Sequence, residues 1–153
     1  MGNFSLPYGT EIYDDRLWTT DCSNETISVY EKDGRFVDSF SHYGHELGEL
    51  DTPADIKINN GVIYVVEERN HRIQLFNESG QFISTFGTYG NMNSTPEKEP
   101  FSLNNPLGIA MSENIVLVVD YGNNRVVGFK RDDKIKDAAW ISHIASEGVN
   151  WKN

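Results

Sequence analysis

The sequence predicts an all-β protein built from three copies of one four-stranded unit, on three observations. Residues 6–44, 52–90 and 105–133 align with one another along their length. Each copy holds short apolar runs rich in β-branched and aromatic residues, separated by turn residues, which reads as strand rather than helix. No segment carries the 3.6-residue apolar period of an amphipathic helix.

Five sets of anchors keep the copies in register: Pro7, Pro53 and Pro106; Asp21, Glu67 and Asp120; Asn24, Asn70 and Asn123; Ile27, Ile73 and Val126; Tyr30, Phe76 and Phe129. The members of each set are spaced 46 and then 53 residues apart. The middle copy shows its runs most clearly, at 54–58, 62–66, 72–76 and 82–86, and Asn60-Gly61 is the strongest two-residue hairpin signal in the chain. The connecting loop also repeats, Tyr43-Gly44 returning as Tyr89-Gly90. The seven extra residues of the last interval (53 − 46) fall between Gly90 and Pro106. Loop 91–105, with Pro96 and Pro100, is therefore the most individual surface feature, and loops on a rigid scaffold are where binding concentrates.

Four-stranded units recurring every 40 to 50 residues or so are propeller blades. The boundaries expected are about 4–44 for blade one, 50–90 for blade two and 103–144 for blade three, followed by a tail at 145–153. The stretch 137–153 fits no fourth blade. Its residues 138–144 are expected to form the outer strand of blade three. Trp140 and Trp151 are candidate subunit contacts, because aromatic side chains are enriched in interface cores.

Two stretches carry a family resemblance. Pro106, Gly108, Ile109 and Ala110, a hydrophobic strand ending in Asp120, and then Gly122-Asn123-Asn124-Arg125-Val126-Val127 with Phe129 resemble an NHL repeat. "VVEERNHRIQLFNESGQFISTFG" (65–87) is similar to the same pattern. The first unit departs from it with Thr26 where the others have Arg72 and Arg125, and the third with Asp133 where Gly34 and Gly80 stand. The resemblance spans about residues 4 to 130. It implies a β-propeller, commonly of six blades, whose members serve mostly as scaffolds binding protein, RNA or other ligands, with a few enzymes among the relatives.

Propellers close with about four to eight blades, and three make half a ring. The expectation is a homodimer in which a second copy, set head to tail, completes six blades, since closed symmetry leaves no free blade face. The alternatives are a partner chain or larger assembly supplying the missing blades, a longer propeller of which this is part, or a stable open arc.

The formal net charge is −10, from 13 basic and 23 acidic side chains. That disfavours nucleic acid, whose binding depends on Lys and Arg neutralising phosphates. No apolar stretch approaches the roughly 20 residues of a membrane span, so no membrane partner is expected. "MGNFSLPYGT" lacks the regions of a signal peptide, and the default location is cytoplasmic. Four sequons (Asn3, Asn24, Asn77, Asn93) are too close to chance to alter this. Cys22 is the single cysteine and excludes an internal disulfide. The acidic clusters Asp14-Asp15, Glu46/Glu49/Asp51, Glu97/Glu99 and Asp132-Asp133 serve solubility, or steer a basic partner.

No nucleophile-elbow, zincin, phosphate-loop or dinucleotide motif is present, and the function expected is non-enzymatic, with no cofactor. Three places in the sequence offer chemistry all the same. "HYGHE" (42–46) offers His42, His45 and Glu46 to a metal, but the next unit reads "TYGNM" there, so a crossover loop is the plainer reading. At the ring centre, strict alternation puts Glu11, Asp55 and Lys57 on the channel side, where they would hold an ion or polar ligand. The alternative function, a small metal-dependent hydrolase or lyase, would use Glu11 and Asp55. The charge knot Glu67-Glu68-Arg69-Asn70-His71-Arg72 recurs at 120–125 with His71 replaced by Asn124. It is therefore expected to be a structural turn, pinned by the pairs Glu67–Arg72 and Asp120–Arg125, with His71 a variable turn residue.

Overall fold

The computed structural model describes residues 4–91, 102–112, 115–131 and 141–142. Strands β1 (Pro7–Tyr13), β2 (Arg16–Asp21), β3 (Thr26–Glu31) and β4 (Phe36–Phe40) bond in that order into one antiparallel sheet. One unit on, β5 (Pro53–Asn59), β6 (Val62–Glu67), β7 (Arg72–Asn77) and β8 (Phe82–Phe86) repeat it. Across the long connector, β9 (Thr88–Tyr89) and β10 (Ser102–Leu103) pair in parallel. A third antiparallel sheet follows: β11 (Pro106–Met111), β12 (Ile115–Asp120), β13 (Arg125–Arg131) and β14 (Ile141–Ser142). The all-β order of three four-stranded blades is the one the repeat predicts. Strand β14 is two residues within the expected 138–144, and Trp140 and Trp151 lie outside the described residues.

Local chemistry explains the hairpins. β5 and β6 turn on Asn60-Gly61, at φ 50° and 75°, and β1 and β2 on Asp14-Asp15, at φ 51° and 59°. Two successive left-handed residues match the right-handed twist of the strands they join. Asp14-Asp15, expected only as acidic surface, is thus also a hairpin turn. Each blade opens on a proline, which has no N–H for the ladder, and the register shifts directly after it, at Pro7/Thr10, Pro53/Asp55 and Pro106/Gly108.

Side chains alternate across a strand, and β6 uses both faces. Ile63 and Val65 pack with Trp18, Ile27 and Val29 of the first blade. Tyr64 and Val66 pack with Ile109, Val116, Val118 and Phe129 of the third. The middle blade is therefore buried on both sides, and the core is two layers, one at each blade-to-blade junction. Leu50 and Leu103, from the two connectors, are fully buried plugs in those layers. At the inner end the blades meet at backbone distance: a Cβ on Gly9 would lie 2.6 Å from the Asp55 Cα.

Because Leu50 fills the first junction and belongs to no strand, Leu50→Ala is expected to destabilise the protein by about 2–5 kcal/mol, read from urea unfolding. A loss below about 1 kcal/mol, the scale of a surface substitution, would show that the connector is not part of the core.

Candidate interaction site

The recurring charge knot is built around a buried carboxylate at the end of the second strand of each blade. Glu67 is fully buried. Its Oε2 accepts from Arg72 Nε at 2.6 Å, and its Oε1 accepts from Asn70 Nδ2 at 2.6 Å and from the Asp51 backbone N–H at 3.2 Å. Asp120 receives the same three donors, Arg125 Nε at 2.6 Å, Asn123 Nδ2 at 2.9 Å and the Asn104 N–H at 2.6 Å. The guanidinium then reaches the preceding connector. Arg72 donates to the carbonyls of His45, Glu46 and Glu49, and Arg125 to that of Ser102. Asn70 and Asn123 donate likewise to Gly44 and Gly90. The knot is thus more than a pinned turn, because it fastens each blade to the chain entering it.

Blade one has Thr26 in place of the arginine, and Asp21 compensates with backbone donors. It accepts from the N–H groups of Ser5, Leu6, Ser23 and Asn24, and from Asn24 Nδ2, at 2.7–3.1 Å. Burial alone would raise its carboxyl, but these N–H groups outweigh burial and hold it below the usual carboxylate range.

A second fastening sits at the left-handed residue immediately before the third strand. Glu25 and His71 have φ 56° and 54°. Glu25 Oε2 accepts the Thr52 N–H at 2.7 Å, and His71 Nδ1 accepts the Asn105 N–H at 3.0 Å. Thr52 and Asn105 each immediately precede the proline of the next blade, so this side chain joins one blade to its successor. His71 is accordingly more than a variable turn residue. It is neutral, with its proton on Nε2, and its ring lies 4.7 Å from that of Tyr89.

At the ring centre, Lys57 Nζ pairs with Glu11 Oε2 at 2.8 Å, joining blades one and two, and also donates to the Ile56 carbonyl. Asp55 turns elsewhere: its Oδ1 accepts from the Ile56 N–H at 2.8 Å and its Oδ2 from the Ile109 N–H at 2.9 Å. Asp55 and Lys57 stay in regular register on β5, and the Asp55 carboxylate is taken up by these two backbone N–H groups. In "HYGHE" the histidines diverge, His42 Nε2 to Glu49 Oε1 at 3.4 Å and His45 Nδ1 to Asn70 Oδ1 at 2.7 Å. Among the described residues no three His, Cys, Asp or Glu side chains are grouped to hold a metal. Cys22 is buried, its thiol donating to the Pro53 carbonyl at 3.0 Å, and burial pushes it up to about 12.

The outer faces of the end blades differ from this interior. β12 alternates strictly, Val116 and Val118 buried, and Ile115, Leu117 and Val119 exposed. Leu117, 43% exposed, is the repeat equivalent of Tyr64, which is fully covered by blade three. On blade one, Ile12 is 78% exposed where Ile58 is buried. Phe4 is the equivalent of the plugs Leu50 and Leu103 (4 + 46 = 50, 50 + 53 = 103). It lies on Tyr30, 4.9 Å between ring centres, and Tyr30 in turn meets Phe36 edge-on at 5.6 Å. These two apolar faces are the candidate interaction site. The 46 and 53 intervals place Phe4 with the plugs in the sequence, but only the folded chain shows that it rests on Tyr30 and stays 41% exposed.

Comparison with known proteins bears on one segment and on the fold. Residues 103–129 match the family model described as NHL repeat. This chain carries an NHL repeat. No curated protein sequence is similar enough to match it. Among solved structures, virginiamycin B lyase from Staphylococcus aureus superposes with a TM-score of 0.57 at 19% identity, over 86% of this chain and 39% of the lyase. Glutaminyl cyclase from Myxococcus xanthus gives 0.60 at 14% identity, over 82% of this chain and 55% of the cyclase. A nidogen/laminin complex gives 0.56 at 15%, over 83% and 44%. The fold shared is that of a partial propeller, and the NHL-repeat chain spans between about two fifths and just over half of these structures.

The His71 latch generates a pH test. Burial pushes His71 below its ordinary 6.5, against the opposing pull of Asp120 and Glu68. The unfolded chain therefore takes up this proton before the folded one, and stability present above pH 6.5 is lost as pH falls below it. His71→Asn, which installs the residue blade three has at 124, is expected to flatten the fall in melting temperature between pH 6.5 and 5. An unchanged slope would remove the latch from the account.

Proposed function

We propose that this NHL-repeat chain is a non-enzymatic propeller scaffold, whose work is assembly and the binding of protein or another ligand. The observation that carries this is the use made of its buried carboxylates. Asp21, Glu67 and Asp120 are each occupied by backbone N–H donors, with arginine or asparagine added. Asp55 is likewise committed to two backbone N–H groups, and Glu11 to Lys57. Groups holding the frame in this way are poor candidates for proton transfer or metal ligation, which need a carboxylate facing substrate. The solved structures of similar fold include enzymes and a protein–protein complex, so the fold itself is compatible with either role.

The test is metal analysis of the purified protein after equilibration with calcium and zinc. The scaffold reading expects background metal in the wild type and in Asp55→Ala. It also expects that variant to lose about 1–3 kcal/mol of stability, because the Ile109 N–H is left without its acceptor. Stoichiometric calcium or zinc that disappears on Asp55→Ala would overturn the scaffold reading in favour of a metal-dependent enzyme.

A further inference from the structure

The two apolar end faces are the two halves of one further blade junction, and we infer that a second copy of this chain brings them together head to tail. The inference rests on the scaffold reading and names its partner. Its ground is the internal repeat, which already shows this contact made twice. Within the chain, the face of Val62, Tyr64 and Val66 is covered by blade three. The face of Ile58 and Ile63 is covered by blade one, with Leu50 between them. Carried forward by 53 residues, the first face is Ile115, Leu117 and Val119 on blade three. Carried back by 46, the second is Ile12 and Leu17 on blade one, with Phe4 as the plug. One half stands exposed at each end of the arc, so the surfaces are complementary to each other rather than each to itself, and the contact is heterologous.

The polar fastening is prepared as well. Asn124 occupies the position of Glu25 and His71, with the same left-handed backbone at φ 52°. In the second copy the residue before the first proline is Leu6, the equivalent of Thr52 and Asn105. The Asn124 side chain of one copy is thus placed to accept the Leu6 N–H of the other, a group that in the single chain turns to Asp21 Oδ1 at 3.1 Å. The buried polar residue of the receiving face does not oppose the contact. Thr19 stands where Val65 is, and its hydroxyl is directed inward to the Gly9 carbonyl at 3.1 Å.

Blade number selects two copies. With three blades each, two chains give six and three chains give nine, and only six lies within the range of about four to eight in which propellers close. Twofold symmetry then makes both new junctions identical and leaves no apolar face free.

The experiment is sedimentation equilibrium on the wild type, Ile12→Asp and Leu117→Asp, with circular dichroism to confirm that each variant retains the β spectrum. The two residues are exposed in the single chain, so its fold does not depend on them. The wild type is expected at twice the 17.3 kDa chain mass, and each variant alone at one chain mass. Mixing the variants is expected to restore a two-chain species, because a mixed pair retains one junction with both faces native. A folded wild type at one chain mass at micromolar concentration would overturn the inference, since other blades would then have to cover the faces. So would association indifferent to Ile12→Asp, which would mean a contact between like faces, and so would open-ended growth. None of these results alters the metal analysis, so failure of the dimer and failure of the scaffold reading are separable.

Discussion

The fold depends on one buried acid per blade. A carboxylate at the end of a second strand accepts the backbone N–H of a residue 16 positions earlier, at Asp21 from Ser5, at Glu67 from Asp51 and at Asp120 from Asn104. That residue belongs to the connector entering the blade, so each acid ties the edge of a sheet to the chain that delivers it. A buried carboxylate is stable only when its lone pairs are taken by strong donors. Arg72 and Arg125 supply the opposite charge and satisfy connector carbonyls in the same stroke. One bonded unit thereby answers for the charge and for the loop backbone.

From that constraint the layers follow. The connector is held where Leu50 and Leu103 enter the junctions, and the apolar sides of neighbouring blades close over them. The outer faces of the first and third blades carry exposed apolar side chains among the described residues. Ile115, Leu117 and Val119 are patterned like the covered face of blade two, and Phe4, the equivalent of the plugs, is 41% exposed. Exposed apolar side chains grouped on such faces are what makes them the candidate interaction site.

Much of this was legible in the sequence, because repetition exposes whatever is structural. The proline, acid and asparagine anchors recur at fixed spacing, and Asn60-Gly61 announces its turn by itself. The pairing of Glu67 with Arg72 and of Asp120 with Arg125 was readable from position. The third partner was not: a backbone N–H has no residue identity, so nothing in the letters of Ser5, Asp51 or Asn104 marks it. His71 was obscured for a related reason, since its equivalents are Glu25 and Asn124, and only Glu25 and His71 in the folded chain reveal a shared acceptor role. The partners of Asp55 were hidden for the same reason, since its carboxylate accepts the backbone N–H groups of Ile56 and Ile109.

The most direct test of the acid-centred frame is native-state hydrogen exchange at the Asp51 and Asn104 amides. Neither lies within a four-stranded sheet, and each donates instead to a buried carboxylate. The account predicts that both exchange as slowly as amides in the middle of β6 and β12, because opening them requires breaking the knot. Exchange at the rate of an open loop would contradict it, and would leave the buried acids without a role in holding the blades.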